Sequence, residues 1–586
     1  MLKLYHFTNY KAMKQRITLF MIMAIVLTTT IKIKSQDVNT VWAKSMGGIE
    51  GHNYGNSLSI DLDGNVYTTG TYYETADFDP SASIYELNSN GMSDVFVSKL
   101  DSNGTFVWAK SFGGTAVDNS YSIDCDNYGN VFTTGCFYWT GDFDPDFDSV
   151  FNLTSSGNTD IFVSKLDSDG EFVWARRFGG KYEDKGISII VDEFGNVYST
   201  GWFKDTADFD PDPLNTYDLI SSGGKDVYIS KLNSVGDYVW VKQITSSGDV
   251  VVKDMVFDNS YNLLLTGYFY SQTDFDPDPG EEFILDPDGN KDVFIAKYDT
   301  LGCLVWAKYF DGESDNYSYS ISTDIFNNVF TVGDISSLTD FDPSPSGYFL
   351  VDGYPGDNIF VSKLDSNGNF VWVKQVSGEI LIFATSICND NDGNSYIGGQ
   401  FYGDADFDPS WSEYILSETY TYGGDMFLLK LDSAGNFIYA HQIGGNEDDL
   451  INDIKVDLAG NIYTTGIYMN DVNFNPFTGD DLTLSASGMY TDVFVHKMRQ
   501  EVSSNIEYDV NTFTELFPNP SNGIFLINSK DLIEYKIYDF NGRVVNHSFI
   551  KGNQHKVNMQ NCNNGIYIIK IKSINGYSLK KIIVNK

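Results

Sequence analysis

Short runs of alternating apolar and polar residues, five to nine long and bounded by Gly, Asn, Asp and Ser clusters, fill residues 36–507. Period-two alternation of this length predicts β-strands, and no long stretch carries the i, i+3, i+4, i+7 spacing of an amphipathic helix. One stretch shows the order of elements. SYSIDCD (120–126) passes through the turn NYGN into NVFTTGCFY (130–138), and a longer loop containing DFDP follows. Then come DIFVSKL (160–166), the turn DSDG and EFVWARRF (171–178). This predicts four antiparallel strands per unit, with Gly and Asn at the turn positions that need a positive φ. Runs such as DVFVSKL and FVWAK are apolar on both faces, so each sheet has to be covered on both sides.

The unit is repeated. Trp42, Trp108, Trp174, Trp240, Trp306 and Trp372 lie 66 residues apart, and Tyr439 follows 67 later. Asp77, Asp142, Asp208, Asp274, Asp340 and Asp406 each open a DFDP tetrapeptide, and Asn473 opens NFNP in the same place. Asp61, Asp126, Asp192, Asp258, Asp324, Asp390 and Asp457 open the first turn of each unit, where Gly or Asn is expected three residues later. All three series count to seven. The last unit runs through DVFVHKM (492–498) and lacks a Trp-bearing strand, whereas VWAK at 41–44 is such a strand without its unit. A closed ring accounts for the permutation: the N-terminal strand completes the last sheet and covers edges that would otherwise invite aggregation. Sheets stacked radially as blades are also covered on both faces. The expected fold is therefore all-β, a seven-bladed β-propeller of four antiparallel strands per blade over residues 36–498.

The unit DxxGNVYTTGxF...DVFVSKLDxxGxFVWAKxFGG resembles the bacterial β-propeller repeats known as SBBP repeats, a family that implies a fold more than an activity. Farther on, LFPNPSNGIFLI (516–527), YKIYDFNGRVV (535–545), NCNNGIYIIKI (561–571) and KKIIVNK (580–586) resemble, in order, the motifs of the type A C-terminal sorting domain of the type IX secretion system in Bacteroidetes. That resemblance implies recognition by the type IX machinery, passage through the periplasm and across the outer membrane, removal of the tail, and release or attachment at the cell surface. The residues themselves, alternating strands with Asn-Gly turns and a Lys-rich end, indicate a small Ig-like β-sandwich at 514–586, joined by a polar linker at 499–513.

At the other end, Lys3, Lys11, Lys14 and Arg16 precede an apolar run from Ile17 to Val26, then Thr28–Thr30 and Ser35. The pattern at 1–35 is that of a secretory signal peptide; a membrane anchor is the alternative, although the run is short for a span. No other segment is apolar enough to cross a bilayer. Charge narrows the partners further. The whole chain has 38 basic and 80 acidic residues, and the repeated region alone holds 22 against 75, a net of about −53. Nucleic acid and anionic membrane surfaces are repelled by such a surface, which leaves cations, neutral glycans and basic proteins. Five scattered cysteines form neither a disulfide framework nor a zinc site. Cys125 and Cys136 fall in one predicted hairpin without facing each other, so free, mostly buried thiols are expected.

Candidate chemistry concentrates in the DFDP loops. On an extended chain the two aspartates point to one side and the phenylalanine to the other. Asp77 with Asp79, Asp142 with Asp144, Asp208 with Asp210, Asp274 with Asp276, Asp340 with Asp342 and Asp406 with Asp408 therefore present paired carboxylates. Such pairs either hold Ca²⁺ or cap backbone amides in repeated Asx-turns, the second being favoured. DLDGN (61–65), DNDGN (390–394) and DSDG (167–170) resemble fragments of a Ca²⁺ loop but lack its Glu and flanking helices, and read as turns. Lys99, Lys165, Lys231, Lys297, Lys363, Lys430 and Lys497 hold one position in every third strand, where ion pairs with neighbouring aspartates are expected. Only His52, His441 and His496 occur between 36 and 507, in different units and without a nucleophile motif, so no catalytic residue is assigned and no enzyme is expected. Mild breaks in the repeat occur at SSGDVVVKD (246–254), SGEILIFAT (377–385) and NFNP. The rim carrying the DFDP and inter-unit loops is the more variable, which marks it for binding, with Tyr54, Tyr121, Tyr182 and Tyr317 as contacts for a glycan or protein ligand. A binding or adhesion module is the first reading; a polysaccharide hydrolase or lyase and a purely structural surface protein are the alternatives.

Overall fold

The computed structural model describes residues 38–586 apart from 288–289, 345–346, 354–357, 421–422, 477–480, 501–514, 519–520, 539–543, 563–564, 574–575 and 585–586. The expected signal segment and all but the first two residues of the expected linker lie outside the described residues. Among those described, every regular element is a strand.

The order read from the alternation is the order observed. Asn119–Cys125, Val131–Asp142, Asn152–Leu166 and Phe172–Gly180 pair in sequence, each antiparallel to the next. The same meander starts at Tyr54–Ile60, Lys185–Val191, Val250–Phe257, Tyr317–Thr323 and Leu381–Asn389. The set beginning at Leu450–Val456 continues with Asn461–Tyr468 and Asp492–Gln500, and its fourth strand is Val38–Met46. That strand lies antiparallel to Asp492–Gln500, from Val38 opposite Gln500 to Met46 opposite Val493. Strand Asp492–Gln500 thus extends two residues past the expected boundary at 498.

Neighbouring sheets are tied by one recurring contact. The Trp108 indole N–H and the Lys99 amine both donate to the Ser168 carbonyl in the next unit's last turn, at 3.2 and 2.9 Å. Trp42 and Lys497 do the same to Ser102, at 3.3 and 2.9 Å, although they lie at opposite ends of the repeated region. Each indole also lies against the glycine of that turn. A Cβ on Gly170, whose φ is +82°, would come within 2.9 Å of Trp108, so a side chain is excluded there by both contact and conformation. The lysine series departs from the expected ion pairs. Lys297, Lys363 and Lys430 do pair with Asp258, Asp324 and Asp390, at 2.8, 3.5 and 4.0 Å. Lys99, Lys165 and Lys497 instead donate to the next unit's carbonyl and lie over the rings of Tyr67, Phe132 and Tyr463. A carbonyl and a π face satisfy a half-buried ammonium without a counter-ion.

The DFDP loops strap each unit to the one before it. Gly113 and Gly114 at the end of one outer strand pair with Asp142 and Gly141 of the following unit, and Gly179 and Gly180 pair with Asp208 and Ala207. The phenylalanine turns inward as expected: Phe78 is buried, with its ring centroid 4.9 Å from Phe96 and 5.5 Å from Tyr72. In the first turns of the units the left-handed residue is Gly64, Gly129, Gly195, Asn327, Gly393 and Gly460, but in the fourth unit it is Tyr261, with φ +61°. The expectation of Gly or Asn fails at that one place, where the Tyr261 ring packs edge-on against Phe257.

The five cysteines are free; Cys136 and Cys388 are buried, whereas Cys125, Cys303 and Cys562 are only partly so. Cys136 stands opposite Asn119, and Cys125 opposite Val131. In the tail, Glu515–Phe517, Ile524–Tyr538, Val544–Asn558, Gly565–Ser573 and Gly576–Val584 are hydrogen-bonded into one five-stranded sheet through the long strand 524–538. Its register breaks between Asn528 and Leu532, and Phe525, Ile527, Ile537, Val557, Ile569 and Ile582 share a buried cluster.

Candidate binding cavity

The first strand of each unit contains a β-bulge at the same place, visible as a skipped partner between Gly55 and Ser57, Ser120 and Ser122, Gly186 and Ser188, and onward to Ile451 and Asp453. A bulge turns its extra residue out of the pleat. The residues so placed, Asn56, Tyr121, Ile187, Lys253, Tyr319, Thr385 and Asn452, all line one cavity of about 440 Å³. Every unit contributes to its wall.

Beside the bulges a polar belt joins the first strand of one unit to that of the next. Asp453 accepts from the Ser57 hydroxyl and the Leu58 amide with one oxygen and from the Ser386 hydroxyl with the other, at 2.9–3.0 Å. Asp254 accepts in the same way from Ser188, Ser320 and the Ile321 amide. Asp124 takes Ser59 and the Val191 amide. These bonds link residues one unit apart, and for Ser57 and Asp453 they link the first unit to the last.

The belt is charged unevenly. Burial pushes the Asp124 carboxyl up to about 6 against the pull of its amide donors, and raises Asp254 as well. The Lys455 amine lies 3.4 Å from Asp453. Protein surrounds it closely, though its tip still faces the cavity. Burial alone would lower its pKa, yet Asp453, Asp254 and Asp124 together hold it above the ordinary lysine value. Higher up, Lys253 is shifted the other way, lowered by burial and by Lys225 and Lys185. A second cavity, of about 370 Å³, opens among the first turns of the units and is lined by Asp126, Asp192, Asp258, Asp324 and Asp390. Those carboxylates are occupied within their own turns: Asp126, for example, accepts from the Tyr128 and Asn130 amides and the Asn130 side chain.

The candidate residues from the sequence divide accordingly. Tyr121 faces the main cavity. Tyr317 sits at its edge, its ring centroid 6.4 Å from Tyr319 and 5.0 Å from Tyr268. Tyr54 stacks on His52, and Tyr182 is an exposed loop residue under the Lys181 amine. Sequence reasoning missed Lys253, Asp254, Tyr319, Asp453 and Lys455; the signal for the first two was the break at 246–254, where Lys-Asp stands in place of an uncharged residue followed by Ser, as in Tyr121-Ser122 and Tyr319-Ser320.

In the DFDP loops the first aspartate caps the loop. One Asp77 oxygen accepts the amides of Asp79 and Tyr85, and Asp79 accepts that of Ser81. Asp142 likewise accepts from Asp144 and Phe151, and Asp144 from Asp146. Asp208 accepts from Asp210 and Tyr217, and Asp210 from Asp212. Asp274 accepts from Asp276 and Phe283, and Asp276 from Asp278. Asp340 accepts from Asp342 and Phe349, and Asp342 from Ser344. Asp406 accepts from Asp408 and Tyr414, and Asp408 from Ser410. Neutral Asn473 makes the same two bonds as its aspartate counterparts, to the amides of Asn475 and Leu482.

Of the two expected roles the capping one is observed, each first carboxylate accepting amides of its own loop. Among the described residues no three or more His, Cys, Asp and Glu side chains are grouped to hold a metal ion. The second carboxylates, Asp79, Asp144, Asp210, Asp276, Asp342 and Asp408, each turn to the amide two residues farther on. Among the described residues they do not join the first carboxylates, Asp77, Asp142, Asp208, Asp274, Asp340 and Asp406, in a group of three or more. The histidines add no metal ligand set either. His496 is fully buried, and burial lowers its pKa to about 3, so it stays neutral.

Two family models match the chain. Residues 173–202 match a beta-propeller repeat, and residues 515–585 match a secretion system C-terminal sorting domain. The chain carries a beta-propeller repeat and a C-terminal sorting domain. The tail marks this repeat protein for export, to the cell surface or beyond it. Over 452 residues it is 25% identical to the uncharacterized WD repeat-containing protein L264 of Acanthamoeba polyphaga mimivirus, covering 63% of this chain and 32% of that one. Over 147 residues it is 30% identical to the regulatory protein FlaEY of Caulobacter vibrioides, covering 25% of this chain and 15% of the other. It thus spans a third or less of these curated relatives. Sqt1 from Chaetomium thermophilum overlaps 79% of the repeat protein and 99% of its own chain at 9% identity and a TM-score of 0.36, too loose a likeness to carry an argument. Among the described residues no helix is long and apolar enough to cross a membrane.

Proposed function

We propose that the repeat protein is a closed, seven-bladed β-propeller that works outside the cell as a binding or adhesion module for a glycan or a protein, without turnover. The pairing of Val38–Met46 with Asp492–Gln500, the Ser57–Asp453 bond and the shared cavity wall support the closed ring. The observation that carries the binding reading is the 440 Å³ cavity at the first strands of the units, within the size range of small-ligand pockets and lined by a few convergent polar groups. Catalysis is disfavoured because His52, His441 and His496 stand in different units, and the belt carboxylates are occupied by serine hydroxyls and amides. The test is to screen the exported chain on a glycan array and a panel of surface proteins, and to incubate array hits for released reducing ends. Binding without turnover supports the proposal. Steady release of reducing sugar would replace it with the hydrolase or lyase reading, and absence of any binding, with high surface abundance, would favour a structural role.

A further inference from the structure

The repeated region is strongly acidic, and its buried lysines are for the most part matched to a carboxylate or a carbonyl. One edge of the cavity breaks this rule. The Lys253 amine lies 5.8 Å from the ring centroids of both Tyr268 and Tyr319, and the Lys225 amine lies 3.7 Å from that of Trp202. Among the described residues neither amine has a hydrogen bond or an ion pair. Asp249 pulls on the Lys225 ammonium from farther off, its Oδ1 taken by the Lys225 backbone amide at 2.8 Å. Lys185, over the same Trp202 ring, is matched by Glu183 at 3.1 Å, and Lys291, over Tyr268 and Tyr317, by Asp315 at 2.9 Å. Four lysines from the third and fourth units therefore crowd around aromatic rings, and two have no counter-ion in contact. Like charges this close oppose one another: burial first, then Lys225 and Lys185, lower the Lys253 pKa. Keeping a desolvated ammonium unpaired costs free energy, and an arriving anion removes that cost.

We propose that this edge of the cavity binds a short oligosaccharide carrying one carboxylate, a uronic acid, with the carboxylate taken by Lys253 beside Lys225 and the sugar against the tyrosines. The aromatic lining favours a saccharide over a peptide, since ring faces and phenol hydroxyls match the C–H and O–H faces of a pyranose. Size favours a short one: the cavity holds a small molecule, and a long polyanion would meet the repulsion of the rest of the surface. The inference rests on the binding-module reading and deepens it.

The test is calorimetric titration of the full chain with glucuronosyl-glucose, its methyl ester and a triglutamate peptide. The acid should bind, and the ester should bind at least tenfold more weakly. Lys253→Met should lose affinity by a similar factor, with Lys253→Arg recovering most of it; equal melting temperatures for the two variants would separate lost affinity from lost fold. Equal binding of acid and ester would overturn the inference while leaving the binding module intact. Failure of the acid to bind, or Lys253-dependent binding of triglutamate alone, would also overturn it, and the array screen above would then decide whether a binding module remains.

Discussion

A disulfide across the seam tests the ring directly. Asn39 stands opposite Arg499 where the first strand meets the last, so Asn39→Cys with Arg499→Cys should cross-link under mild oxidation. The bond would close a loop of about 460 residues, for which the chain-entropy relation gives about 6 kcal/mol at 25 °C. Engineered bonds usually return less, and about 3 kcal/mol is the working expectation. A melting entropy of about 2.1 cal/mol/K per residue over the roughly 460 ordered residues makes 1 kcal/mol worth only about 1 °C. The oxidised form should therefore melt about 3 °C above the reduced form. Peptide mapping distinguishes the new bond from chance oxidation of Cys125, Cys136, Cys303, Cys388 or Cys562, and each single-cysteine variant serves as a control. If residues 39 and 499 keep free thiols after oxidation, or cross-link only between molecules, the strands do not meet in solution and the closed ring is wrong.

Four further outcomes follow from named contacts. Lys297→Ala leaves the buried Asp258 without its partner at 2.8 Å and should cost about 3–5 kcal/mol, read by chemical denaturation, whereas the more exposed Lys44→Ala should cost under about 0.5 kcal/mol. Asp77→Asn should be nearly neutral, because Asn473 makes the same bonds in its own loop; Asp77→Ala loses both and should cost about 1–3 kcal/mol. The same capping predicts that EGTA leaves the melting curve unchanged, and a drop of several degrees reversed by Ca²⁺ would establish the metal reading of the DFDP pairs instead. Burial raises Asp94 and Asp184 to about 7, Asp118 to about 6 and Asp449 to about 8. A pKa raised in the folded state means that the fold holds the proton more tightly, so this stability is complete below about pH 4 and is lost as pH rises through 6 to 8. The melting temperature should rise from pH 8 to pH 5, and Asp449→Asn should flatten the slope, since Asn53 and Asn316 already occupy the equivalent position in their units.

Strand order, the strand count per unit and the seam partner were all legible because each depends on local alternation and on a repeat that leaves one strand over. The inward Phe of DFDP was legible for the same reason: period two fixes its face. The fate of the paired carboxylates was only half legible, because an Asx-turn and a cation site ask for the same residue and differ in what else comes close. What could not be read was anything set by contact between units. The third-strand lysines looked like ion-pairing residues because aspartates lie nearby in sequence. Three of them do pair so, but Lys99, Lys165, Lys297, Lys363 and Lys497 share a different acceptor, a backbone carbonyl of the adjoining unit, and carbonyls carry no sequence signal. The cavity was missed because the bulge that aims Tyr121, Lys253 and Tyr319 into it shifts the phase by one residue. Period-two counting assigns those side chains to the wrong face.

That phase shift explains why departures from the repeat gather around the cavity. On an outer strand a duplicated residue meets the same surroundings in every copy. Around the cavity the copies meet one another, and seven equal charges there would repel strongly at low dielectric. A belt of serines tolerates the convergence, but three positions carry Asp124, Asp254 and Asp453, and each added carboxylate raises the cost of the next. Lys455, 3.4 Å from Asp453 and influenced by Asp254 and Asp124, offsets that cost for the lower half of the cavity. Lys253 and Lys225, above the belt, have no carboxylate in contact with their amines. Packing against the belt accounts for the first lysine and leaves the other two unexplained, so a ligand anion is best sought at the upper edge of the cavity.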